Sequence, residues 1–201
     1  MRSQKTLWLK IAVHAAAWVP FVVLAWGYWR GGLGPDPTGE VIRRTGRVAI
    51  VLLILSLVPT AVKLLTGSGA LIKVRRILGL YAFMYAALHL LGFAWLDYGF
   101  DLRFLLPALV DGRRALAGLI ALVVLLLLAI TSTGGWIRRL GKNWKRLHRL
   151  TYLASVLAVL HYAWSFKELR AAPVVAGAAL LPLLVARVPP VAGLLARWRR
   201  R

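Results

Sequence analysis

The sequence predicts an all-α integral membrane protein, a bundle of six transmembrane helices with both termini in the cytoplasm, and three observations predict it. Sixty per cent of the 201 residues are hydrophobic and the mean hydropathy is +0.72, a composition outside that of ordinary soluble or disordered chains. The apolar residues gather into runs at 7–29, 48–65, 77–96, 116–133, 147–166 and 173–186. Most approach the roughly 20 residues a helix needs to cross hydrocarbon. Charge is also sorted by side. With the N-terminus inside, Arg138, Arg139, Lys142, Lys145 and Arg146 share one inner loop, and Lys63, Lys73, Arg75 and Arg76 share another. The arginines at 197 and 199–201 end the chain on that side, while Asp36, Glu40, Asp97, Asp101, Asp111 and Glu168 all fall in outer loops.

This positive-inside bias accounts for the net charge of +21 without nucleic acid. Basic loops beside spans fix topology and touch anionic membrane lipid. Arg43, Arg44 and Arg47 on the outer side are the exception that the rule leaves unexplained.

The elements follow in order. Arg2, Lys5 and Lys10 precede an apolar stretch that runs on through Trp18 and Trp26 with no small-residue cleavage site at its end, so it reads as a first span and not a signal peptide. The stretch GGLGPDPTG at 31–39 is a turn-rich connection. Its G-G-x-G follows a span rather than a strand, so it is not a dinucleotide loop. Spans two to five follow with short loops between them. The sixth is the shortest and carries Pro182, which predicts a kink or tilt there. The chain reads as one domain over 1–201, with no convincing internal repeat and no P-loop, zincin motif or nucleophile elbow. It has no cysteine, which excludes disulfides, covalently attached c-type haem and thiolate-held clusters. Any metal is left to histidine, carboxylate or a cofactor.

Four histidines carry the remaining chemistry: His14, His89, His148 and His161. Ionisable groups at membrane depth are costly and usually face a bundle interior where they have a function. His89 lies thirteen residues beyond Arg76, and His161 fifteen beyond Arg146. At about 1.5 Å per residue both sit about 20 Å in from the inner face. Ala82, Ala86 and His89 share one face of span three, and Ala154, Ala158, His161 and Ser165 one face of span five. Such small-residue stripes also let helices pack closely. A depth-matched pair ending both stripes is best explained as two axial ligands to haem iron.

His148 and His14 share the inner level. Thirteen residues from His148 to His161 rise about 20 Å but turn about 140° off register on an ideal helix, so a second haem there needs a bend. The third span offers Arg76, not a histidine, at the matching position. Otherwise His148 reads as an interfacial residue beside Trp144, and His14 as a helix contact. Arg47 at the outer end and Arg75 or Arg76 at the inner end are candidates for propionates, quinone or a partner's acidic surface, with topology or lipid contact as the default. A different class of function, a cofactor-free transporter relaying protons through the histidines, predicts a colourless protein with pH-dependent flux. A haem-free anchor for a periplasmic enzyme would tolerate loss of either deep histidine.

Three segments carry a family resemblance: GGLGPDPTGE with Thr45-Gly46-Arg47, KVRRILGLYAFMYAALHL, and TSTGGWIRRLGKNWKRLHRLTYLASVLAVLHYAWS. Over nearly the whole chain they resemble the MsrQ (YedZ) family, haem-binding membrane subunits of the periplasmic protein-methionine-sulfoxide reductase system within the ferric-reductase-like transmembrane superfamily. Arg30 stands where the family's HGGLG turn has histidine, so no role is carried to position 30.

The resemblance implies a multi-pass protein of the bacterial inner membrane carrying haem b, and flavin mononucleotide (FMN) is also associated with the family; larger relatives carry two histidines on each of two helices, and for a second haem this chain lacks the fourth. It implies electrons from the quinone pool or a cytoplasmic flavin reductase, and a periplasmic molybdopterin-containing methionine sulfoxide reductase as acceptor. The chain itself is not expected to reduce methionine sulfoxide alone. By match, His89 and His161 are the interhelical ligands and His148 a further haem-related residue.

Overall fold

The computed structural model describes residues 2–168 and 170–198, apart from the side chains at 2, 3 and 5. The arginines at 199–201 and the Arg2 and Lys5 side chains, which the topology reading counts on the inner side, lie outside the described residues. Every regular element among the described residues is helical.

Helix α1 (Arg2–Trp29) is the predicted first span. Helix α2 (Pro37–Thr66) starts well before the predicted edge at 48. The reason is local: Asp36 caps it by accepting the Gly39 N–H at 2.8 Å, and Pro37 occupies the first turn, where its missing N–H costs nothing. Arg43 pairs with Asp36 and Glu40 at 3.0 Å each, and Arg44 with Glu40 at 2.6 Å. Two of the three arginines that break the charge rule are therefore helical residues neutralised by outer-side carboxylates, and the i,i+3 and i,i+4 pairs support the added turns. Gly67, at φ 76°, closes α2 by donating to the Lys63 carbonyl at 2.9 Å.

Helix α3 (Ile72–Gly92) runs into a π-helical turn at Phe93–Asp97. Helix α4 (Leu102–Val110) forms within the outer loop between the third and fourth predicted spans. Asp101 caps it from the Arg103 N–H at 2.9 Å. It buries Leu105 and exposes Leu102, Phe104, Leu106 and Val110, so it is too short to cross a bilayer and amphipathic in the manner of interfacial helices. Helix α5 (Arg113–Ile130) is the fourth predicted span, and the basic loop folds into α6 (Gly134–Leu140) and α7 (Lys142–Leu147). Helix α8 (Leu150–Ala163), α9 (Ala171–Val185) and α10 (Pro189–Trp198) complete the described chain.

Among the described residues four helices are long and apolar enough to span, α1 from Thr6, α2, α3 with its π turn, and α5; α9 and α10 make a fifth if their bent pair counts as one span. The predicted fifth span holds only the 14 residues of α8, which rise about 21 Å against a hydrocarbon core of about 30 Å. The helix breaks just after His148 instead of continuing from 147. The sixth also differs from expectation: α9 passes through Pro182, and the 77° bend falls at the break before Pro189. The break over 186–188 directly precedes Pro189 and Pro190, whereas Leu181 stays helical before Pro182.

The packing shows the repeat that sequence reading did not find. Helix α2 packs chiefly on α3, and α5 chiefly on α8. Counterparts lie 72 positions apart: Leu53 and Leu125, Ala82 and Ala154, Ala86 and Ala158, His89 and His161. Leu53, Leu125, Ala82 and Ala154 join Leu52 and Tyr85 in one buried cluster, with Ala86 and Ala158 packed against it. The alanine stripes thus line the seam between the two pairs. Helix α1 leans on the outside of this unit, tied by the Tyr85 hydroxyl, which donates to the Ala17 carbonyl at 2.7 Å.

Candidate haem-binding site

His89 and His161 end the two stripes, and the fold brings them together. Their ring centroids lie 5.9 Å apart with planes at 82°. His89 Nδ1 is 2.8 Å from the Ile42 carbonyl of α2, and His161 Nδ1 is 2.8 Å from the Arg114 carbonyl of α5. A carbonyl oxygen only accepts, so each Nδ1 carries the proton and each Nε2 keeps a lone pair. Both acceptors lie 47 residues before their histidine. The two half-sites are copies of one construction.

This donor set fits a particular kind of metal group. Zinc-type sites need three or four protein ligands, and no group of three or more His, Cys, Asp or Glu suited to a metal occurs among the described residues. Two imidazoles suffice where a macrocycle supplies the remaining ligands, as in haem. With metal–nitrogen bonds of about 2 Å, a metal between two Nε2 atoms sets the ring centroids about 6 Å apart, close to what the fold holds. Second-sphere N–H···O=C bonds of this sort fix the tautomer and raise ligand basicity.

The other two histidines are not brought together. His148 sits at the α7–α8 junction, stacked on Trp144 at 4.0 Å and 28°, with Nε2 3.2 Å from Thr131 Oγ1. The Thr131 hydroxyl lies 2.7 Å from the Leu127 carbonyl and directs its proton there, so His148 Nε2–H donates and the hydroxyl oxygen accepts. His14 is exposed and meets the Tyr81 hydroxyl at 2.9 Å through Nδ1. No ring contact joins His14 to His148 among the described residues.

The candidate arginines divide likewise. Arg75 Nη1 donates to Thr60 Oγ1 at 3.2 Å. Arg75 and Arg76 both lie close enough to His148 to act on it electrostatically, so the inner end collects positive charge. Arg47 opens on the outer end of a cavity of about 860 Å3 lined by α1, α2 and α3, apolar along most of its length, with Glu40, Arg44, Thr45 and Tyr85 as its other polar residues. Arg44 and Glu40 stand beside it, but they pair with each other. Outside the spans, the carboxyl of Asp36 is held below the usual range by the Gly39 N–H and then by Arg43.

Sequence reading missed Ile42 and Arg114, because a backbone carbonyl acts here irrespective of side chain. The signal that could have found them was the 72-residue offset.

A membrane bundle that brings two carbonyl-anchored imidazoles together agrees with the class whose family model matches residues 45–159, the ferric reductase like transmembrane component. The chain belongs to that family and, within it, to the MsrQ family. It is 42% identical over 173 residues to the protein-methionine-sulfoxide reductase heme-binding subunit MsrQ of Xanthomonas campestris pv. campestris strain 8004, covering 83% of this chain and 79% of the relative. The MsrQ proteins of strains ATCC 33913 and B100 match with the same identity and coverage.

Proposed function

We propose that the chain is a haem b-binding electron-transfer subunit of the bacterial inner membrane. It takes electrons from quinol or a cytoplasmic flavin reductase and serves a periplasmic molybdopterin-containing methionine sulfoxide reductase, which repairs oxidised envelope proteins. The observation that carries this reading is the opposed pair His89 and His161, each with Nδ1 tied to a carbonyl and Nε2 left as a ligand. The relatives' name supplies the haem and the reductase system. Six crossings with both termini inside complete the reading, with α8 as the fifth and the bent α9–α10 pair as the sixth.

Bound haem b supplies a one-electron couple. What the protein's own residues do follows from their positions. The Ile42 and Arg114 carbonyls hold both rings and fix the tautomer that turns Nε2 to ligation. The packed alanine and leucine seam excludes water beneath the pair. Two groups of residues support the donors. The apolar groove against α1 suits a prenyl tail, with Arg47 next to Gly46 and so level with His89. The basic inner end, Arg75 and Arg76 with Arg138, Arg139, Lys142, Lys145 and Arg146, suits the acidic surface of a flavoprotein, a propionate, or the phosphate of FMN.

The test is haem loading. Purified wild type should show a reducible b-type spectrum, and His89→Ala and His161→Ala should each lose it. A colourless wild type after expression with ample haem would overturn the reading.

A further inference from the structure

Two glycines stand against the two imidazoles. A Cβ at Gly46 would lie 2.8 Å from His89 Nδ1 and 3.0 Å from its Cε1; at Gly118 it would lie 2.6 Å from His161 Nδ1, 2.8 Å from Cε1 and 3.0 Å from Cγ. Real side chains do not come so close. Neither glycine has positive φ, so what each supplies is space and not backbone freedom. Each lies four residues after the carbonyl that accepts the Nδ1–H, Ile42 before Gly46 and Arg114 before Gly118. The ring therefore settles on the bare backbone turn between acceptor and glycine. Glycine is a poor helix former, and both sit inside long helices. Gly79 in α3 is also helical, but a Cβ there meets nothing within 4 Å.

We infer that Gly46 and Gly118 are positioning residues that let each imidazole reach its helix carbonyl, and so set the ring planes and the basicity of the two ligands. The inference rests on His89 and His161 being the axial pair. A methyl at either position pushes the ring off the backbone, lengthens the Nδ1–H···O=C bond and rotates the plane. A weaker bond leaves the imidazole a poorer electron donor, which disfavours ferric iron, so the reduction potential rises. Loss of such an outer-sphere partner typically changes metal affinity about 10- to 100-fold. If it falls on the ferric form, a tenfold bias corresponds to about 59 mV in a one-electron couple.

The test compares Gly46→Ala, Gly118→Ala and the control Gly79→Ala by redox titration and by electron paramagnetic resonance of the ferric haem. Both test variants should titrate higher than wild type, by a tenfold or larger bias, with altered ferric g-values; Gly79→Ala should match wild type. Wild-type potentials and g-values in both test variants would overturn the proposal. If a variant loses haem, its helix content and melting against Gly79→Ala decide. Melting matched to Gly79→Ala stripped of haem supports positioning, and melting below that haem-free control assigns the glycine to helix packing and overturns the proposal. A wild type without a b-type spectrum would sink the haem reading itself, an outcome distinct from any of these.

Discussion

Tyr85 offers the clearest separation of a hydrogen bond from a packing volume. Its side chain is 1% exposed and its hydroxyl donates to the Ala17 carbonyl at 2.7 Å, so it both fills the seam and ties α1 to α3. Tyr85→Phe removes the hydroxyl alone. Ala17 lies inside α1 and keeps its own helical bond, so no carbonyl is orphaned and the cost stays near the average membrane side-chain bond, about 0.6 kcal/mol with a ceiling near 1.7. Tyr85→Ala removes the ring from a site among Leu52, Leu53, Leu125 and two alanines. Aromatic-to-alanine changes in well-packed interiors cost about 3–5 kcal/mol. Equilibrium unfolding in mixed micelles by added SDS would read both. Because α1 forms one wall of the groove, Tyr85→Ala should also slow reduction by a quinol while leaving reduction by dithionite intact. Equal losses in the two variants would refute the claim that the packed ring contributes more than the hydroxyl to holding α1.

Three further outcomes follow. His148→Ala loses the Thr131 bond and the Trp144 stack, about 1–2 kcal/mol together, yet should keep the spectrum of the deep pair; haem per chain falling by half would instead place a second haem at His148. Arg47→Gln should weaken quinol-driven reduction and leave dithionite reduction unchanged, as stopped-flow absorbance would show; equal rates with quinol would remove Arg47 from the donor site. Asp36 has a lowered folded pKa, so its contribution is present above its unfolded value and is lost as pH falls through the folded one. The melting advantage of wild type over Asp36→Asn, measured in detergent, should therefore shrink under acid; an advantage independent of pH would show that the charge of Asp36 is not what caps α2.

Much of this was legible in the sequence, for identifiable reasons. The apolar runs gave away α1, α2, α3 and α5, because a span must be long and continuously apolar. Depth counting from basic residues found His89 and His161, because helical rise is fixed and loops are short. The start of α2 was misplaced because hydropathy sees Arg43, Arg44 and Arg47 as polar, whereas the Asp36 cap and the Glu40 pairs make that stretch helical. A kink or tilt was expected at Pro182, since a lone proline inside a run is the obvious breaker, but α9 runs through it and the 77° bend lies at the break before Pro189. The internal repeat escaped because its matches are mostly alanine and leucine, which recur by chance in any membrane helix. The paired carbonyl–His and Gly–His contacts give the 72-residue offset its physical meaning.

The measurement closest to the central claim is a dithionite-reduced minus oxidised spectrum, with haem-to-protein ratio, on wild type, His89→Ala and His161→Ala purified side by side. The account predicts a b-type spectrum in wild type that disappears in both variants while each remains folded. A spectrum that survives unchanged in either folded variant would contradict it, because that histidine would then not be a ligand.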